Sequence, residues 1–492
     1  MIDRRRPKGR MRCRLASVSQ ANRFEEERAP PPKALRGDSI PPVFLSDMPG
    51  PTDTYEPQQP ITQSLKQLID NTEGYAEAFQ TAISRVSSQR IPELKRIQTL
   101  FQYYYYIDSL VTWMPQLRIW TWEGDVYHER TDYLRITQFY YYFNQSELQA
   151  LQSPVAPGEG ENLTPISRWL REFAISWGAF LDTPESASRL ESYKFGPEYS
   201  YQDYAGWPYE TFNKWFSRTF RDIAVQRPVA QPDDPRIIAY PAESTFVGHW
   251  AISTPIAEDQ PMPAASSITV KHVEWPIPEL LRDSDYAHDF EGGILAHSFL
   301  NVYDYHRQHA PSSGTILEAK FIPGQVYLEV DLKVLDKDGR ESASGALANA
   351  LIPRRYLDAG DNTGYQFVQN RGLMVLQTAV GKIAVLPMGM GQVSSVVFVK
   401  PGTEELIQLS EEEKKGLDYD QQVDKLNEKL AAELVGKRVS KGDMISTFLF
   451  GGSDIVMVFE RKSNIHITSA VGIHYPVRSQ YAYANIAELM NC

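Results

Sequence analysis

The chain has 492 residues, 42% hydrophobic and 12% aromatic, enough to bury a large core and globular in character rather than disordered. Fifty Lys and Arg against 62 Asp and Glu leave a formal charge of −12, which argues against nucleic acid as a partner and gives no attraction to an anionic bilayer. Two cysteines, Cys13 and Cys492, make neither a disulfide framework nor a CxxC metal site, which suits a reducing compartment.

The N-terminus carries Arg4, Arg5, Arg6, Lys8, Arg10, Arg12 and Arg14 without an apolar run behind them. A disordered basic tail is expected there, with an organellar presequence as the alternative. No apolar run reaches membrane-spanning length, and a soluble cytoplasmic protein is the default. Residues 1–60 are polar and Pro-rich and predict an arm without a core of its own. From 61 to 195 the period is helical: Leu65, Leu68 and Ile69, then Phe79, Ile83 and Val86, then Leu94, Ile97 and Phe101. Aromatics crowd this helical domain at Tyr103–Tyr106, Trp113, Trp120, Trp122 and Phe139–Phe143. They are expected to form a helical core with tyrosines at its margin, an aromatic-lined binding site being the alternative. Trp177, Phe180 and Leu181 should pack on a helix. Tyr209, Phe212, Trp215, Phe216 and Phe220 follow helical spacing until Arg227-Pro228 breaks it.

From 196 to 492 we expect a second, β-rich domain, giving an α+β chain. Short apolar runs bounded by Gly and Pro recur at 237–240, 268–273, 316–322, 326–334, 373–377, 383–386 and 393–399. Such spacing predicts a barrel or a sandwich. A charged insert, 403–436, places Val423, Leu426, Leu430 and Leu434 on one helical face, with Gly436 at the stop. GKRVSKGD then reads as a tight hairpin with Val439 inward.

Three features carry chemistry. In Lys441–Glu460 a strand, a Gly451-Gly452-Ser453 turn and a second strand, Ile455–Phe459, present a serine whose hydroxyl could attack the Gly452 carbonyl; alone, the motif is an ordinary hairpin. His306 and His309 stand three apart, with no further ligands at zinc spacing. Glu243 lies between apolar neighbours and reads as a cap or an ion-pair partner.

The segments GGILAHSFLNVYDYHRQHAPSSGTI, FNKWFSRTFRD, VLPMGMGQVSSV and FLFGGSDIVMVFE together resemble the phosphatidylserine decarboxylase family. WGAFLDTPESASRL and the Glu of PAES resemble its soluble fungal branch, which includes the L-tryptophan decarboxylase of psilocybin biosynthesis. The resemblance implies a self-processing proenzyme. Ser453 attacks Gly452, the ester eliminates to dehydroalanine, and hydrolysis leaves a pyruvoyl group heading a fragment 453–492. His309 is then the base for processing, Glu243 orients its ring, and His306 moves the proton at the substrate α-carbon. Met388, Gly389, Phe450 and Gly451 would line the substrate pocket. Most of the family has Asp where Glu243 stands. The implied reaction is loss of CO₂ from an amino acid bound through its amine to the pyruvoyl cofactor, with no metal and no added cofactor. A free aromatic amino acid such as L-tryptophan is the favoured substrate, and phosphatidylserine at a membrane the alternative. The cleaved 453–492 fragment is the expected protein partner, with a homo-oligomer left open.

Overall fold

The computed structural model describes residues 44–122, 125–160, 162–254, 266–270, 273–335, 354–359, 364–389, 396–450 and 453–485. The expectations for 1–43 and for Gly451 and Gly452 lie outside them. The IVMVF run of 455–459 is apolar at every position rather than alternating, the signature of a strand covered on both faces. It forms the strand Ser453–Phe459, fifth of eight in an antiparallel sheet. The order is Arg438–Val439, Gly314–Ile322, Arg371–Thr378, Gly381–Gly389, Ser453–Phe459, Ile294–Leu300, Ser244–Ala251 and His474–Tyr475. Ile455, Met457 and Phe459 join one apolar cluster, and Val456 and Val458 another.

The α+β expectation holds, but the barrel does not: the two edge strands do not pair with each other, and the sheet is open. A second sheet runs Leu406–Ile407, Val396–Val399, Met444–Phe448, Arg307–His309. The hairpin expected across 441–460 is also corrected. Met444–Phe448 pairs with Val396–Val399 and Arg307–His309, whereas Ser453–Phe459 pairs with Gly381–Gly389 and Ile294–Leu300. The chain between them therefore crosses from one sheet to the other. The GKRVSKGD segment behaves alike: Val439 is buried as expected, but its strand pairs with Gly314 and Thr315 instead of folding back on Met444.

In the helical half, Pro60–Asn71 and Tyr75–Ser88 bury the expected Leu65, Ile69, Phe79, Ile83 and Val86. The third run breaks: Leu94 belongs to a short 3₁₀ turn, and a new helix, Leu100–Val111, begins behind Thr99, whose hydroxyl accepts from the Gln102 amide. Trp177 and Leu181 are buried on Pro165–Leu181, while only Phe212–Phe216 of the next run is helical. The tyrosines are not marginal. Tyr103, Tyr106, Tyr140 and Tyr142 are fully buried, and Tyr103 and Tyr142 meet edge to face at 4.9 Å. Residues 44–59, assigned to the arm, are tied onto this half: Leu45 is buried, and Tyr55 and the Gln58 amide donate to Asp108.

One apolar cluster extends from Leu45 to Ala484 and joins the helices to the sheets. The insert forms the helix Tyr419–Leu434 with a capping box at Asp418 and Gln421. Its Asn427 side chain donates to the Phe321 carbonyl (3.0 Å) and accepts from the Phe321 amide (2.7 Å), fastening the helix to a strand of the large sheet. Gly436, at φ 79°, ends that passage in the left-handed conformation a side chain would resist.

Candidate active site

The sheet crossing delivers Phe450 against the helical half. Its ring lies 4.9 Å from Phe212, 5.5 Å from Phe216 and 5.7 Å from Trp177, and its amide donates to Asn213 Oδ1. Phe216 in turn stacks on the imidazole of His306, centroids 3.8 Å apart. His306 is held from behind: its carbonyl accepts from the Phe448 amide (2.8 Å) and the Thr447 hydroxyl (3.0 Å). Both ring nitrogens are buried without a hydrogen-bond partner. Burial, and then the nearby Arg218 cation, push its pKa well below the ordinary histidine value, so the ring is neutral and its lone pair unused.

Arg218 was not anticipated as a site residue. It is fully buried, over the rings of Tyr204 and Trp215, and donates through Nη2 to the Tyr303 and Asp304 carbonyls. The only signal for it was its place in FNKWFSRTFRD.

His309 sits elsewhere on the same segment. It pairs with Met444, whereas His306 neighbours Phe448. At about 3.3 Å per residue, His309 is roughly 10 Å further from the crossing. Burial lowers its pKa to about 3, so it too is neutral. Its Nδ1 faces the Gly442 carbonyl at 2.7 Å and must carry the proton, which leaves Nε2 to accept from the Tyr305 hydroxyl at 3.1 Å. Gly442 holds that carbonyl at φ 87°, and a Cβ there would meet Val229 at 2.5 Å.

Glu243 does not orient His309. Its two oxygens accept from Arg227, Nε at 2.7 Å and Nη2 at 2.6 Å, in a bidentate pair. Met388 and Gly389 stand opposite Asp454 and Ser453 in the sheet. Among the described residues no group of three metal-ligating side chains occurs, and no helix is long and apolar enough to cross a membrane.

The family model for phosphatidylserine decarboxylase matches residues 212–479, more than half of the chain. That span contains Phe216, both histidines, Met388, Gly389 and Ser453. The chain belongs to the phosphatidylserine decarboxylase family. Within this family it is 26% identical over 299 residues to phosphatidylserine decarboxylase proenzyme 3 of Schizosaccharomyces pombe, covering 60% of this chain and 24% of that protein. It is 26% identical over 308 residues to the decarboxylase iboD of Amanita muscaria, covering 58% and 74%. It is 21% identical over 262 residues to an L-tryptophan decarboxylase of Psilocybe cyanescens, covering 53% and 48%. The chain thus spans about a quarter of the first of these relatives and half of the third. The relatives named here are decarboxylases, that is, carboxy-lyases.

Proposed function

We propose that this member of the phosphatidylserine decarboxylase family cuts itself between Gly452 and Ser453, and then removes CO₂ from an amino acid using the keto group left on residue 453. The observation that carries the reading is the sheet crossing. It places the start of the Ser453 strand three residues from Phe450, whose partner Phe216 is stacked on a neutral histidine with both nitrogens unpartnered. A pyruvoyl group supplies an electrophilic carbonyl for the substrate amine and a sink for the electrons released with CO₂. The surroundings fit it, since Phe450 and Ile455–Phe459 on either side are buried and apolar and Ser453 is fixed by register to Gly389 and Leu300.

The chain's own residues divide the work. His306, neutral and desolvated, takes up the proton that the substrate ammonium gives up on condensing with the keto group, and delivers it to the α-carbon in place of the departing CO₂. His309 serves as the processing base, through the Nε2 lone pair that the Tyr305 hydroxyl now occupies. Glu243, engaged by Arg227, secures the start of the Ser244–Ala251 strand. A free aromatic amino acid is the favoured substrate, supported by the cluster of Trp177, Phe212, Phe216 and Phe450 and by the fungal L-tryptophan decarboxylase among the relatives. The test is intact mass of the purified chain and of Ser453→Ala, with CO₂ release from tryptophan, tyrosine, phenylalanine and phosphatidylserine vesicles. The expected result is two fragments, 1–452 and 453–492, from the wild type, one uncut and inactive chain from the variant, and turnover of a free aromatic amino acid. An uncut wild type defeats the proposal, and turnover of vesicles alone moves the substrate to the lipid.

A further inference from the structure

Next to Ser453 lies a buried polar group that the reaction as described does not use. The Asp454 carboxylate is wholly enclosed. His297 Nε2 approaches Oδ1 at 2.6 Å, and the Tyr365 hydroxyl donates to Oδ2 at 2.9 Å. A carboxylate accepts only, so Nε2 carries the proton on that side of the ring. Asp454 belongs to the same strand as the processing serine, opposite Met388 on one side and Phe299 on the other. His297 is on the neighbouring strand, and Tyr365 on a short 3₁₀ turn, Tyr365–Phe367. Two other pieces of chain thus converge on one side chain. Enclosing a carboxylate is costly unless it is fully engaged, and this site in the sheet would otherwise suit a Val like Val456 or Val458.

We propose that the Asp454–His297–Tyr365 group is an anchor that keeps residue 453 in place once the chain has been cut. The inference rests on the reading that the 452/453 bond breaks. Before cutting, residue 453 is tethered covalently on both sides. Afterwards it is a chain end, and chain ends fray unless something ties them down. Backbone pairing with Gly389 and Leu300 is the last of the ladder on each side, and ladder ends open first. Asp454 is the first side chain beyond the new chain end at residue 453, and its two strong hydrogen bonds to other elements prevent the end from peeling away. These are positioning residues, acting through the reactive group and not on the substrate. Misplacing a reacting group by about 1 Å costs on the order of 100-fold in rate.

The test combines Asp454→Asn, which keeps size and shape, with the milder Tyr365→Phe, each made in the wild type and in the uncut Ser453→Ala chain. Mass spectrometry reads cutting, kinetics read kcat and KM, and hydrogen exchange reads the amides of 454–457. The expected result is that both variants still split, with kcat about 10- to 100-fold lower for Asp454→Asn and less for Tyr365→Phe, and KM changed under threefold. Exchange at 454–457 rises in the cut variants and stays unchanged in the uncut ones, a contrast that a merely structural network would not give. Equal exchange in both backgrounds, an unchanged kcat, or failure of either variant to split overturns the anchor. A wild type that never splits sinks the parent reading instead, and is distinguished by its mass.

Discussion

Replacing His306 by Gln separates the two histidine roles, because the structure makes its stability cost small and its catalytic cost large. Neither ring nitrogen has a hydrogen-bond partner, so no donor or acceptor is orphaned by the change. What is lost is the stacking on Phe216 at 3.8 Å, worth about 0.5–1.5 kcal/mol, and part of the ring's buried area. A general acid–base group contributes about 10²–10⁴ in rate, equivalent to about 3–5 kcal/mol of barrier. His306→Gln is therefore expected to fold, to split into its two fragments and to lose at least 100-fold in kcat. His309→Gln is expected to remain uncut. Intact mass, thermal melting and CO₂ release read the three consequences independently. If His306→Gln stays whole while His309→Gln splits, the two roles are exchanged, as the shorter distance of His306 from the sheet crossing would then explain. If both split and His306→Gln turns over within threefold of the wild type, neither histidine has the role assigned here.

Two further outcomes follow from the charges. His309 is neutral in the fold down to about pH 3 but takes up a proton near 6.5 when unfolded, so below pH 6.5 the unfolded state binds more protons and stability falls with pH. The slope from this one group is about 1.4 kcal/mol per pH unit; urea midpoints from pH 7.5 to 4.5 should fall more steeply for the uncut Ser453→Ala chain than for the same chain carrying His309→Gln, and parallel curves would show that burial does not hold the ring neutral. Glu243→Gln leaves the part-buried Arg227 without its carboxylate and should cost about 1–3 kcal/mol, visible as a lowered melting temperature, while the chain still splits; an unsplit but undiminished chain would instead put Glu243 in the processing step.

What the sequence concealed has a common physical origin. The segments it revealed, such as the Pro60–Asn71 and Tyr419–Leu434 helices or the strand at 455–459, carry their pattern within themselves. The Ile294–Leu300 strand was missed because His297 and Ser298 interrupt its apolar run, and His297 is polar to meet Asp454, 157 residues away. The hairpin at 441–460 was expected because local sequence cannot say which sheet a strand enters; each of its strands has one partner, Arg307–His309 or Ile294–Leu300, more than a hundred residues back. Glu243 and His309 were joined by the family resemblance, whereas Arg227 and the Gly442 carbonyl claim them in the fold. The four family-like segments nevertheless converge: Asn213 on the Phe450 amide, Phe216 on His306, Gly389 opposite Ser453. Each contact joins a different pair of segments, and each bears on the few residues around the proposed cut. A fold that only needed a buried sheet would have no reason to set an unpartnered histidine against the Phe216–Phe450 cluster, or an enclosed carboxylate beside one serine. Their cost is intelligible if residue 453 must react, and must then be held.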